Sequence, residues 1–361
     1  MTASGLGPNI RVVSVVGARP QFVKLAPVAE AFARAGVDHR IIHSGQHYDP
    51  AMSGAFFADL AIAAPDVNLG VGSGPHGRQT GVMLAALEDV LERERPDWVL
   101  VYGDTNTTLA AALAAVKIHL PVAHLEAGLR SFNRRMPEEH NRVLTDHASD
   151  LLLAPTEAAM GHLRREGLAQ ASRLVGDVMT DVCHRVADAV RPGWRDQSAE
   201  GEGPGRFVLA TIHRPDNTDA PDRLDGIVQA LAELPRPVRL AAHPRLRAKA
   251  AEFGIELRRG AIEPVEPLNY PAMVAAVLDS AAVVTDSGGL QKEAYLLGRP
   301  CTTVRPETEW VETLAGGWNL LADRPGDIAA AVTRPRPVGP RSQPYGDGHA
   351  ADKAVAAILA G

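Results

Sequence analysis

The runs 11-RVVSVVG-17, 98-WVLVYGD-104 and 121-PVAHLEAG-128 are short and almost wholly apolar, and each gives way to a glycine or a charged residue. Together with 40-RIIHSG-45 they read as strands. Between them lie stretches with helical spacing. In 21-QFVKLAPVAEAFARAG-36 the apolar positions recur along one face up to Gly36, a C-cap candidate. In 79-QTGVMLAALEDVLERE-94 the residues Met83, Leu84, Leu87, Val90 and Leu91 share a face until Pro96 stops the helix, and 106-NTTLAAALAAVKIH-119 forms another. Strands apolar throughout, alternating with helices, predict a parallel sheet covered on both faces.

A second series repeats the pattern. Strands are expected at 207-FVLATIH-213, 237-PVRLAAH-243, 281-AAVVTD-286 and 300-PCTTVR-305, with helices at 222–234 and 271–280. The segment 191-RPGWRDQSAEGEGPG-205, dense in Pro, Gly and charge, reads as the linker. The expectation is an α/β protein of two doubly wound domains facing a cleft, spanning 1–185 and 200–345. A last helix, 351–361, is expected to pack back on the first domain. At 361 residues the length agrees with two cores.

Composition narrows the function classes. A net charge of −6 argues against a general basic surface for nucleic acid, so an anion would have to meet a local pocket. Cys183 and Cys301 lie far apart in sequence and form no CxxC pair, as in a reducing cytoplasm. The first residues lack the features of a secretory leader, and no apolar run reaches the ~20 residues of a membrane span. The expectation is a cytoplasmic protein with neither a nucleic-acid nor a membrane partner. The 13 histidines show none of the dense spacings of a metal site, so no metal is expected.

In doubly wound sheets ligands gather at the C-terminal ends of the strands. Polar residues cluster there in this chain. Gly17-Ala18-Arg19-Pro20 follows the first strand without a GxGxxG fingerprint, so no nicotinamide cofactor is expected. Arg19 and Lys24 are either anion contacts or a solvated pair of cations. Asp104 and Glu126 end strands, and 137-PEEHNR-142 puts Glu138 and Glu139 in the first turn of a helix. Carboxylates brought from separate elements suit proton removal and return from two directions, although acidic residues in a first turn also complement the helix dipole. His213-Arg214 offers an acid and an anion clamp, or a structural histidine. At 284-VTDSGGLQKEAYLLGRP-300 the turn Ser287-Gly288-Gly289 opens a helix whose free N–H groups form a diphosphate cradle, unless the glycines serve packing alone. Glu293, one turn on, is a ribose contact or an ordinary helix glutamate.

Taken together, GARPQFVKLAPV, SGQHYD, VYGDTNTTLA, HLEAGLRS, PEEHNR, TIHRPDNTD, AAHPR, TDSGGLQKEA and RPETEW resemble the non-hydrolysing UDP-N-acetylglucosamine 2-epimerases, in the same order over about residues 11 to 321. The resemblance implies a GT-B-type pair of Rossmann-like domains, a homodimer, a UDP-sugar substrate and no cofactor. It implies interconversion of UDP-GlcNAc and UDP-ManNAc through elimination of UDP to a 2-acetamidoglucal and its re-addition. By it, Arg19 and Lys24 match cleft cations, and Asp104, Glu126 and Glu138 match catalytic carboxylates. His213 matches an active-site histidine beside Arg214, Ser287-Gly288-Gly289 the phosphate turn and Glu293 the ribose contact. The chain departs from the family at Met273, where an aromatic residue often faces the uracil, and at Leu268, where glutamine is usual. It departs again at Lys292, often Glu, and at Trp310, often Arg. The GARPQFVK, TIHRP and TEWVE wording also resembles relatives that epimerise diacetamido uronic acids. A UDP-sugar glycosyltransferase of the same fold is the other alternative.

Overall fold

The computed structural model describes residues 10–46, 63–194, 205–338 and 341–361, apart from the side chains of Arg19 and Pro20. Most of the linker segment, the HYD of SGQHYD and the Arg19 guanidinium therefore lie outside the described residues. The chain divides into two compact units, Met1–Val182 with Gln343–Gly361, and Cys183–Ser342.

In the first unit β1 (Arg11–Val16) leads into α1 (Arg19–Ala35), then β2 (Asp38–His43), β3 (Val67–Asn68) and α2 (His76–Glu94). Next come β4 (Trp98–Tyr102), α3 (Asn106–Lys117), β5 (Val122–Leu125), α4 (Pro137–Ala148) and β6 (Leu151–Ala154). The helix α5 (Glu157–Arg165) and β7 (Ser172–Leu174) precede α6 (Val178–Val190), within which the unit boundary falls. The strands pair in the order β3-β2-β1-β4-β5-β6-β7, all parallel. Every residue of β4, β5 and β6 is buried, because helices cover both faces of the sheet. Gly36 ends α1 in the left-handed region at φ 71°, which spares a side chain the steric cost of that turn.

The second unit repeats the scheme with β8 (Val208–Thr211), α7 (Pro215–Thr218), α8 (Pro221–Ala232), β9 (Val238–Ala241), α9 (Pro244–Phe253) and β10 (Ile262–Val265). It continues with α10 (Tyr270–Asp279), β11 (Ala282–Thr285), α11 (Gly288–Leu296), β12 (Cys301–Thr303), β13 (Asn319–Leu321) and α12 (Ile328–Thr333). The order β10-β9-β8-β11-β12-β13 is again parallel throughout. The α/β class with two doubly wound parallel sheets is thus the fold of the chain. In each sheet the order reverses beside the first strand, between β1 and β4 and between β8 and β11. Loops leaving these pairs go to opposite faces and leave a crevice at the strand ends.

The last helix, α13 (Ala350–Ala360), belongs to the first unit. Ala351, Ala354, Val355 and Ile358 share a core with Phe22, Leu25 and Phe32 of α1. Asp181 accepts hydrogen bonds from the Ala350 and Ala351 N–H groups (3.0 and 2.8 Å), capping two donors that a helix start leaves open. Ile358 is fully buried, so Ile358→Ala is expected to cost about 2–5 kcal/mol and to lower the urea midpoint. An unchanged midpoint would show that α13 contributes no core.

Candidate active site residues

In the first unit the site is built on the loops after β1, β4 and β5. A Cβ on Gly17 would lie 2.0 Å from Ser44 Oγ and 2.3 Å from Thr107 Oγ1, so only glycine lets the segments after β1, β2 and β4 converge. Gln21 pins the same turn from within. Its Oε1 accepts from the Gly17 and Ala18 N–H groups (2.8 and 3.0 Å), and its Nε2 donates to the Tyr102 carbonyl (2.9 Å). Lys24 lies one turn further along α1 and pairs with Glu126. Burial works to lower the Lys24 pKa, but Glu126, by charge and hydrogen bond, with Asp104 and Asp177, holds it above its ordinary value. Lys24 is therefore a fixed cation.

Glu126 sits at φ 74°, a strained conformation for a residue with a side chain. Its N–H is tied to the Leu153 carbonyl (3.1 Å), so β6 holds the turn and the carboxylate is delivered to Lys24. Asp104 follows β4 and accepts from Arg142 at 2.5 Å. Arg142 reaches it from α4 while also contacting Glu139 at 3.0 Å. The neighbouring glutamates of α4 differ sharply. Glu139 is buried, accepts from the Ser131 and Phe132 N–H groups (both 2.9 Å), and is held below the usual carboxylate range by these bonds and Arg142 despite its burial. Glu138 is exposed. Only the latter is open to exchange a proton with a ligand.

In the second unit Asp286, fully buried, organises the strand ends. Its carboxylate accepts from the N–H groups of His213 (3.0 Å) and Arg214 (2.9 Å) and from Asn217 Nδ2 (3.0 Å). Burial works to raise its pKa, but His213, Asn217 and the Arg214 N–H outweigh that and hold it below its ordinary value. Asp286 is ionised, so His213 Nδ1, at 3.1 Å from it, donates and leaves Nε2 facing away from the carboxylate. The His243 ring lies 5.5 Å from that of His213. Burial and the His213 charge both push the His243 pKa down.

Ser287 caps α11, and the two glycines that follow have different reasons to be there. A Cβ on Gly288 would lie 2.4 Å from Glu309 Oε1, so glycine admits the Glu309 carboxylate, which pairs with Arg305 at 2.9 Å. A Cβ on Gly289 would have Ser287 Oγ as its nearest neighbour, at 3.9 Å. The space in front of Gly289 is open, and the N–H groups of the first turn with the positive end of the helix dipole lie there. One turn on, burial pushes the Glu293 carboxyl up against the opposing effects of Tyr270 and Lys292. Met273 is half-buried in the first turn of α10. The two departures Lys292 and Trp310 pack on each other, with Nζ 3.9 Å from the ring centroid.

Arg142, Glu309 and Tyr270 were not among the residues singled out for the site. Arg142 had a signal, four positions after Glu138 in PEEHNR, on the same helical face. Glu309 lies in the RPETEW motif, but only the folded loop brings it to Gly288. Among the described residues no group of three or more His, Cys, Asp or Glu is placed to hold a metal ion, and no helix is long and apolar enough to cross a membrane.

Two doubly wound parallel sheets, with carboxylates and a partly buried lysine at one switch point and the open first turn of a helix at the other, are the architecture of the GT-B class. Residues 30–359 match the family described as UDP-N-acetylglucosamine 2-epimerase. A UDP-2,3-diacetamido-2,3-dideoxy-D-glucuronate 2-epimerase of Pseudomonas aeruginosa is 43% identical over 97% of this chain and 99% of its own. The crystal structure of Methanocaldococcus jannaschii UDP-GlcNAc 2-epimerase in complex with UDP-GlcNAc and UDP is 37% identical, with a TM-score of 0.81 over 96% of this chain and 99% of that one. That of the Neisseria meningitidis UDP-GlcNAc 2-epimerase bound to UDP-GlcNAc is 27% identical, with a TM-score of 0.81 over 97% and 100%. The chain belongs to the UDP-N-acetylglucosamine 2-epimerase family, and its activity is that of an isomerase.

Proposed function

We propose that the protein inverts C2 of a UDP-N-acetylhexosamine, UDP-GlcNAc to UDP-ManNAc in the main reading. The second unit supplies the UDP contacts. Ser287, Gly288 and Gly289 hold the diphosphate on the α11 dipole, Arg214 assists, Glu293 takes the ribose hydroxyls, and Met273 lies against the uracil. Arg19 and Lys24 supply positive charge from the first unit. A carboxylate removes the C2 proton as the C1–O bond to UDP breaks, which gives a 2-acetamidoglucal. Protonation of C2 on the opposite face, and return of the UDP oxygen to C1, complete the inversion with no net change of atoms. Glu126 and Glu138 carry the two proton transfers, with Asp104 assisting and His213 next to the departing diphosphate. Stabilising the leaving group offsets the weak acidity of the C2 proton, so the cradle is catalytic as well as binding.

The observation that carries this reading is Glu126, held at a strained φ with its carboxylate on a partly buried lysine at a sheet switch point. Incubation with UDP-GlcNAc in D2O is expected to place deuterium at C2 of an intact UDP-sugar, read by NMR. Release of free ManNAc would indicate a hydrolase instead. The Pseudomonas relative supports a second substrate, a UDP-diacetamido uronic acid, with the same chemistry at C2. Exchange on that sugar alone would select it. Unchanged C2 on both would leave the glycosyltransferase reading. Family membership also supports a homodimer acting in the cytoplasm, which sedimentation and cell fractionation check.

A further inference from the structure

We infer that His124 is a positioning residue, a fully buried imidazolium that clamps the Gly103 carbonyl and so fixes the loop carrying Asp104 behind the Lys24–Glu126 pair. The inference rests on the epimerase reading for its effect on turnover, but its structural part does not. His124 is in the middle of β5, two residues before Glu126, and no part of it reaches solvent. Both ring nitrogens are engaged. Nε2 lies 2.7 Å from the Gly103 carbonyl oxygen and Nδ1 lies 2.6 Å from Asp146 Oδ1. A carbonyl oxygen only accepts, so Nε2 carries a proton.

The state of Nδ1 follows from what surrounds Asp146. Its Oδ2 accepts from the Gly128 N–H at 3.0 Å and from Arg130 Nη1 at 2.7 Å. Arg130 in turn grips Glu166 with Nε at 2.8 Å and Nη2 at 2.7 Å. Burial works to raise the Asp146 pKa, yet His124 and Arg130 hold it below the ordinary value. An ionised Asp146 accepts from Nδ1, and the ring bears both protons. Beside an ionised Asp146, neutral histidine would leave either the carbonyl or the carboxylate facing a ring lone pair in a dry interior.

The clamp points at the acid–base residues. Gly103 stands at φ 62°, with its N–H on the Leu125 carbonyl at 3.0 Å. Strand β5 therefore holds both polar groups of this residue, one through its backbone and one through His124. A Cβ on Gly103 would lie 3.2 Å from Glu126 Oε2 and 3.4 Å from Lys24 Nζ, so the Gly103 peptide forms the wall against which that pair rests. Asp104 is the next residue and is steadied on its other side by Asn141, which donates to its carbonyl at 2.9 Å, and by Arg142. A small rotation of the Gly103 peptide would move Asp104 and the Lys24–Glu126 pair together. Displacements of about 1 Å in catalytic groups cost up to ~10²-fold in rate.

The test has two arms. In full-length protein with 15N-labelled histidine, the His124 ring, assigned by its loss in His124→Gln, is expected to show both nitrogens protonated in the folded protein. One unprotonated nitrogen would overturn the inference. In the second arm, His124→Gln provides one donor nitrogen in place of two, with an oxygen that only accepts. It is expected to lower kcat about 10–100-fold with KM and UDP affinity nearly unchanged. A variant that keeps its kcat would overturn the positioning role. Should His124→Gln fail to fold, Asp146→Asn removes the counter-charge while keeping the shape. Its kcat is then expected to fall about 10–100-fold with KM nearly unchanged, because Nδ1 loses the carboxylate that holds the ring against Gly103; a kcat equal to the parent's would count against the inference. If the parent acts on neither UDP-sugar, the epimerase reading and the positioning role fall together, while the NMR arm still reports the charge.

Discussion

Glu126→Gln is expected to lower turnover by about 10²–10⁴-fold while UDP still binds. Glutamine keeps the shape and can still receive a hydrogen bond from Lys24, so the strained turn after β5 persists. What it loses is the ability to exchange a proton. The UDP contacts proposed for the second unit do not involve this residue. The expected pattern is therefore a collapse of kcat with an unaltered UDP Kd, measured by single-turnover conversion and by titration with UDP. C2 deuterium exchange should fall in parallel with epimerisation, because both need the same proton transfer. Turnover near the parent value would remove Glu126 from the proton transfer and leave the pair with Lys24 as scaffolding.

The second large effect separates the two glycines at the mouth of α11. Gly289→Ala is expected to leave the unfolding midpoint unchanged or slightly raised, since its Cβ would meet nothing nearer than 3.9 Å and alanine favours a helix over glycine by about 0.5–1 kcal/mol. The same methyl group would stand in the open space where the diphosphate is proposed to approach. The loss of one charge-assisted hydrogen bond, about 1.5–3 kcal/mol, weakens UDP binding by roughly 10- to 100-fold. Gly288→Ala is expected to do the reverse in kind. Its methyl would collide with the Glu309 carboxylate at 2.4 Å, so stability falls first and UDP binding follows from the displaced turn. Equal UDP affinity in Gly289→Ala and the parent would place the diphosphate elsewhere.

How much of this was legible beforehand differs between elements. Strands β1, β4, β5, β8 and β11 stand out because a parallel strand covered on both faces must be apolar along its whole length. The helices α1, α2 and α3 show through their periodic faces, and Gly36 through the left-handed turn it makes. The strands β6, β7, β10 and β13 were not singled out. They are three or four residues long, and nothing local distinguishes Leu151–Ala154 from a buried piece of helix.

For the site, residue type and placement after a strand were enough to nominate Asp104, Glu126, His213 and Ser287 to Gly289, because in a doubly wound sheet the strand ends are where ligands must go. Their working states were not readable. Glu138 and Glu139 are adjacent and chemically alike in the sequence, yet one is exposed and the other is pinned by Ser131, Phe132 and Arg142. Likewise Gly288 and Gly289 are the same letter, while one admits Glu309 from 21 positions away and the other keeps a space open.

The chain alone therefore determined its class of fold, its family and the set of residue types at the strand ends, since all three follow from local pattern and the order of short motifs. Only the tertiary structure decided which neighbour each polar group meets. Asp286 gathers the His213 turn, Lys24 finds Glu126 across 102 positions, and His124 bridges Asp146 to Gly103. Charge, protonation and available space at these residues depend on distances between segments remote in sequence, and those distances exist only once both sheets have formed.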